Sequence, residues 1–163
     1  MSAAFKNYLE WEKQVPRSIR GDNLWKLTLY RSALFISDLA EIDSETLEAD
    51  PRFASTAGQL VESATVLGDH IAEGYSLPPG KDQIASYESA LGAARQARAL
   101  YLQVRPILGQ SVADHRSELL ANLIKETIAQ MKSRHEKSAR EQGLDYLRAR
   151  DSHAEEIPFA SLD

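Results

Sequence analysis

The side chains that could do chemistry in this chain are its bases. Arg95, Arg98 and Arg105 stand at i, i+3 and i+10, a spacing that on a helix projects them from broadly one side. Lys125, Lys132, Arg134, Lys137 and Arg140 crowd a second segment downstream. A set of this kind offers contact with backbone phosphates of RNA or DNA, and each neutralised phosphate releases counterions, so such binding is salt-sensitive. Aromatics able to stack on bases are few, and Trp25 and Tyr101 fit a core better, so the binding expected is also sequence-tolerant. The competing reading is a solvated surface, because Glu88, Glu118, Glu126 and Glu136 lie at helix spacing from these bases and could pair with them.

Other chemistries are poorly supplied. None of the four histidines, His70, His115, His135 and His153, has a glutamate three residues before it, the spacing with which helical bundles hold paired metals. Asp69, His70 and Glu73 offer at most three ligands from one helix, with no second ligand helix; Glu73 reads as a hydrogen-bond acceptor and His70 as a surface or subunit-contact residue. Ser76, Ser86, Ser89 and Ser111 lie near chain breaks, without a Gly-x-Ser-x-Gly elbow. Gly80-Lys81-Asp82 lacks the upstream glycine and the Ser/Thr of a phosphate loop. The absence of cysteine removes disulfides, thiolate metal sites and thiol nucleophiles together. No catalytic residue, metal or cofactor is expected, and the chain reads as no enzyme.

The elements that must carry the bases follow from length, charge and periodicity. With 163 residues, 43% of them hydrophobic and 26% charged, the chain has the size and composition of one globular domain with a real core. No apolar run approaches a membrane span, and residues 1–16 lack the continuous apolar core of an export signal, so a cytoplasmic location is expected. The net charge of −5 is unevenly divided. Residues 38–50 hold six acids and no base, residues 141–163 hold six acids against two bases, and residues 81–140 hold ten bases against six acids. An acidic chain can therefore present a basic face.

A short helix is expected within residues 2–13, with Phe5, Leu9 and Trp11 on its sticky side, broken by Val15-Pro16 and Gly21. Asp22 or Asn23 should cap a first long helix over residues 24–42, apolar over most of its surface. One side then faces the core and the other the N-terminal segment or another subunit. Residues 43–51 read as an acidic loop with one turn near Thr46, and Asp50-Pro51 opens a second helix. That helix carries Ala57, Leu60, Val61, Ala64, Gly68, Ile71 and Tyr75 on one face and ends at a Gly74 cap. A third helix runs from Gly80 or Lys81 to Leu108, with Pro106 and Gly109 at its end. It has two stripes, Ile84, Tyr87, Leu91, Ala94 and Tyr101 beside Ala90, Ala93, Ala97, Leu100, Val104 and Ile107. Gly92 and Ala93 are expected at a close helix crossing, where Gly92→Leu would overpack. Ser111 or Asp114 caps a fourth helix, apolar at Leu119, Leu120, Leu123, Ile124, Thr127, Ile128 and Met131, running to about Ala139 and stopped by Gly143. The fold class is all-α: an antiparallel up-down four-helix bundle over residues 1–143 with a short N-terminal helical segment. A flexible acidic tail follows over residues 144–163, with Ile157, Pro158, Phe159 and Leu162 as a small apolar cluster.

The block Ile71-Ala72-Glu73-Gly74-Tyr75, a Pro/Gly turn, and then Tyr87-Glu88-Ser89-Ala90-Leu91-Gly92-Ala93-Ala94 resembles the four-helix bundle proteins encoded in bacterial 23S rRNA intervening sequences. That family includes the accessory variability protein of diversity-generating retroelements, and the resemblance spans residues 24–131. It implies a homopentameric barrel without a known catalytic centre and, for the retroelement branch, partnership with a reverse transcriptase and nucleic acid. Arg95-Gln96-Ala97-Arg98 stands where rRNA-encoded members are often acidic, which tilts the chain to the retroelement branch. Its acidic balance points the other way, since retroelement members tend to be basic. Two functions stay open: a non-enzymatic oligomeric accessory factor for a reverse transcriptase that binds nucleic acid, or a protein-interaction scaffold with no nucleic acid.

Overall fold

A computed structural model describes residues 5–155. Helix α1 (Tyr8–Gln14) and the single turn α2 (Arg17–Arg20) lead through a 3-10 turn (Asn23–Lys26) into four long helices. These are α3 (Thr28–Glu48), α4 (Ala54–Ser76), α5 (Lys81–Leu108) and α6 (Gln110–Glu155), and no strand occurs among the described residues. None of these helices is long and apolar enough to cross a membrane.

Each consecutive pair of long helices packs extensively, α3 on α4, α4 on α5 and α5 on α6, while α3 meets α6 along a thinner seam. The core is built from Leu29, Ile36, Leu47, Leu60, Leu67, Ile71, Tyr87, Tyr101, Leu120 and Leu123, all essentially removed from water. Between them Ala33, Ala40, Ala57, Ala64, Ala90, Ala94 and Ala97 are fully buried, and such small side chains let helix axes approach closely. At the end of α4, the buried Gln83 donates its amide Nε2 to the carbonyls of Gly74 and Leu77, at 2.9 and 3.0 Å, and so satisfies orphan acceptors of the last turn.

The N-terminal segment settles what covers the second apolar side of α3. Asn7 caps α1 by accepting from the Glu10 amide at 3.0 Å, and the helix then lays Trp11 against Phe35 and Trp25, with ring centroids 5.1 and 6.1 Å apart. Tyr8 meets Phe35 edge-on at 5.2 Å. Trp11 also donates its indole Nε1 to Asp38 at 2.6 Å, so its polar handle is satisfied. Leu9, expected on the sticky side, is 67% exposed; Tyr8 and Trp11 take the inward positions instead.

Several expected boundaries are corrected. The first long helix starts at Thr28, because Asp22 caps the 3-10 turn through the Leu24 amide at 2.8 Å and Leu27 intervenes in an extended conformation. It runs to Glu48, absorbing most of the expected acidic loop: Ile36, Ala40, Asp43 and Leu47 continue one buried stripe in steps of three and four. The second helix begins at Ala54 rather than at Asp50-Pro51 and ends at Ser76. Gly74 is thus no left-handed cap but an interior helical residue, needed because a Cβ there would stand 3.1 Å from the Tyr87 ring. The positive-φ glycines among the described residues are Gly80 and Gly109, and Gly109 alone joins α5 to α6, with φ +89°. The last helix therefore starts at Gln110, ahead of both expected caps; Asp114 instead accepts from the Gln110 side chain at 2.6 Å. It passes through Gly143 and the first part of the expected tail, since a glycine costs only about 1 kcal/mol relative to alanine in a helix. The cluster at residues 157–162 lies outside the described residues. Ile128 is 45% exposed rather than part of the inner face.

Gly92 is exposed, and a Cβ built on it meets nothing within 4 Å, so it occupies no close crossing. Gly92→Ala is accordingly expected to raise stability by about 0.5–1 kcal/mol through helix propensity. Gly74→Val should lower it by roughly 1–3 kcal/mol by driving a branched side chain into Tyr87. Thermal or denaturant unfolding of the two variants checks both signs.

Candidate nucleic-acid interface

The sequence-selected bases divide between two adjacent helices. Arg95, Arg98 and Arg105 project from α5, and all three are exposed. On α6, Lys125, Lys132, Lys137 and Arg140 are exposed, and Arg134 is half-buried. Lys125 and Lys132 are two turns apart on one line of α6, whereas Lys137 and Arg140 emerge on a different side of that helix. The set is therefore three arginines along one side of α5, two lysines on one line of α6, and two bases on another side of α6.

Among the described residues none of these seven exposed bases makes an ion pair; Glu88, Glu118, Glu126 and Glu136 do not engage them. Arg134 departs from the set. It turns inward, and its charge opposes the effect of burial on Tyr87, whose hydroxyl is pushed above its ordinary pKa chiefly by desolvation. Half-buried Arg134 is thus a poor phosphate ligand, while the buried Tyr87 hydroxyl finds no hydrogen-bond partner among the described residues.

The structure also holds a polar centre that the sequence reading missed. Asp43 of α3 accepts from Arg116 of α6 through Nε at 2.8 Å and through Nη2 at 3.1 Å, a bidentate pair with side chains only 6% and 13% exposed. Tyr101 of α5 donates its hydroxyl to the same carboxylate at 2.8 Å. Burial, and next the Asp43 charge, push the Tyr101 hydroxyl far above its ordinary pKa. For Arg116, desolvation works against the charge, but the hydrogen bonds and charge of Asp43 outweigh it and leave the pKa raised. Its third nitrogen, Nη1, lies 2.7 Å from His115 Nδ1; arginine can only donate, so this ring nitrogen accepts and carries no proton. The position of Asp43 in the stripe of Ile36, Ala40 and Leu47 was the available clue. Reading the acidic run as loop hid it.

A cavity of about 470 Å³ lies between α3, α6 and the N-terminal segment, with Phe5, Tyr8 and Phe35 on one wall and His115, Arg116 and Glu126 on the other. The guanidinium on that wall is already spent on Asp43, so it offers no free charge to an anion. His70 and Glu73 sit 3.6 Å apart on the surface, and no group of three or more metal-ligating side chains occurs among the described residues. No protein-family model matches the chain, and no curated protein or solved structure is significantly similar to it.

Removing one partner of a buried ion pair strands the other, so Asp43→Ala is expected to cost about 3–5 kcal/mol. Asp43→Leu combined with Arg116→Met should recover much of that loss, which equilibrium denaturation of single and double variants measures. The pH dependence follows from Tyr101. Its folded pKa lies above the unfolded value near 10, so the folded form keeps a proton that the unfolded form loses, and stability is full below pH 10 and declines above it. Denaturation midpoints at pH 8 and pH 11 should differ less in Tyr101→Phe than in the unmodified protein.

Proposed function

We propose that the four long helices form an antiparallel up-down four-helix bundle serving as a non-enzymatic, self-associating accessory protein. The bundle binds nucleic acid through backbone phosphates on the outer face of α5 and α6. One observation carries this reading: among the described residues seven exposed bases, Arg95, Arg98, Arg105, Lys125, Lys132, Lys137 and Arg140, make no ion pair, and no acid stands three or four residues from Arg95, Arg98, Arg105 or Lys125 to neutralise them along the helix. Of the four glutamates Glu88, Glu118, Glu126 and Glu136, only Glu136 stands at helical pairing distance, four residues from Lys132 and from Arg140, and it pairs with neither. Uncompensated charge on neighbouring helices suits a polyanion.

The resemblance of the 71–94 block to retroelement accessory proteins supports a reverse transcriptase as the protein partner, five subunits as the assembly and the bacterial cytoplasm as its place. The apolar excess of α3 gives the assembly no further support, since the N-terminal segment covers it. The scaffold reading keeps one observation in its favour: Leu144, Tyr146 and Leu147 are exposed at 53, 69 and 44% on the final stretch of α6.

Binding of mixed-sequence nucleic acid should be weak at low salt, with affinity falling steeply as salt rises. Arg95→Gln/Arg98→Gln/Arg105→Gln should flatten the log–log salt slope by roughly 2–3 while leaving the unfolding midpoint in place. Deleting residues 151–163 removes four acids, Asp151, Glu155, Glu156 and Asp163, and should shift affinity upward. An intact protein that binds nothing at low salt, and gains nothing from the deletion, rejects the phosphate surface in favour of the scaffold.

A further inference from the structure

Helix α6 outlasts the body on which it packs. Gly80 and Lys81, where α5 begins, line a shallow pocket with His135, Ser138, Ala139 and Gln142. Beyond that level every side chain described from 139 to 150 is exposed. Leu144, Tyr146 and Leu147 lie on this projecting stretch. Isolated helical segments shorter than about 12–15 residues are marginal in water, because tertiary packing supplies most helical stability. The Asp145–Arg148 pair at 3.8 Å has both side chains nearly 80% exposed and adds little. A helix that carries leucines into solvent without cover has a docking face.

We propose that the projecting part of α6 is a self-docking arm whose occupant is the same arm of a second copy, in antiparallel register. Lys137, Arg140, Leu144 and Leu147 follow steps of three and four, the spacing of a coiled-coil seam. In a parallel pair this seam sets Lys137 against the partner's Lys137 and Arg140 against the partner's Arg140, stacking like charges where they are least screened. An antiparallel pair centred between Asp145 and Tyr146 abolishes both clashes. It sets Leu144 against the partner's Leu147, and the two-fold axis repeats the contact. Along the flank, Glu141 then faces the partner's Arg148 and Arg148 faces the partner's Glu141. Charge pattern thus selects both the occupant and the direction, with repulsion excluding the alternative. The contact is smaller than a standard interface, so it is weak and concentration-dependent for single arms and gains strength when several arms act together. It does not depend on nucleic-acid binding.

The test compares particle mass by sedimentation and light scattering, from low micromolar to submillimolar full-length protein, for four chains. The unmodified protein should reach twice the mass of Leu144→Glu/Leu147→Glu at the upper concentrations, whatever the mass of the smaller particle, while the two share one unfolding midpoint. Glu141→Arg alone should reproduce the smaller particle, and Glu141→Arg with Arg148→Glu should restore the larger. Equal mass for the unmodified and double-glutamate chains at all concentrations overturns the arm. Failure of the charge exchange to restore mass overturns the antiparallel register, and with it the proposal. Nucleic-acid binding, measured separately at low salt, leaves these outcomes unchanged.

Discussion

A bidentate ion pair joins α3 to α6 across their thin seam. Asp43 and Arg116 meet at 2.8 and 3.1 Å, and Tyr101 ties α5 to the same carboxylate. Apolar contacts alone tolerate sliding and rotation, since one leucine substitutes for another at little loss. A buried charge tolerates neither, because an unpaired carboxylate or guanidinium in the interior costs several kcal/mol. Three helices are therefore held in one register by a single oxygen pair. The connections elsewhere are short, a single Gly109 between α5 and α6, so fixing α3 against α6 closes the arrangement.

A cavity lies beside the thin α3/α6 seam. Tryptophan and tyrosine from the N-terminal segment dock on the outer side of α3, and Phe5 and Tyr8 reach the cavity that the seam leaves open. Arg116 lines that cavity but spends its fork inward on Asp43, and its last nitrogen on His115. The result is a wall that looks cationic in sequence and is electrostatically closed in space. Charge available to partners must then come from elsewhere on the surface, and α5 and α6 supply it.

Much of this was legible in the sequence, and the failures share a cause. The stripes of α4 and α5 were readable because small and large apolar residues recur there at helical steps, and Ala57, Leu60, Ala64, Ile71, Tyr87, Ala94 and Tyr101 are all buried. Boundaries misled wherever a local rule met a tertiary one. Gly74 suits a cap, yet a neighbouring ring demands its missing side chain. Gly143 suits a stop, yet the helix absorbs it. Gly92 suits a crossing, yet it faces open space, since the stripes on either side of it already account for the buried surface of α5. Asp43 was the costliest error, because a run of acids resembles a loop until its spacing to Ile36, Ala40 and Leu47 is counted. Seven of the candidate bases were readable as exposed residues; Arg134 is half-buried, and its own stretch of sequence leaves no mark of that.

The division of charge bears on how an acidic chain could hold a polyanion. The exposed acids of α3, Glu41, Glu45 and Glu48, lie on a helix that α5, with Arg95, Arg98 and Arg105, touches only slightly, whereas Lys125 and Lys132 lie on α6, which meets α3 directly. Helix axes in contact are about 8–10 Å apart, so outward charges on opposite sides of the proposed bundle stand well beyond the Debye length of about 8 Å at physiological salt. At that range the α3 acids would barely weaken the proposed phosphate contact on α5. Glu88 and Glu118, on the same two helices as the bases, do weaken it, and they set the affinity expected of one subunit low. Net charge is then the wrong guide to binding. For the proposed binding, the relevant quantity is the charge within one screening length of the phosphate.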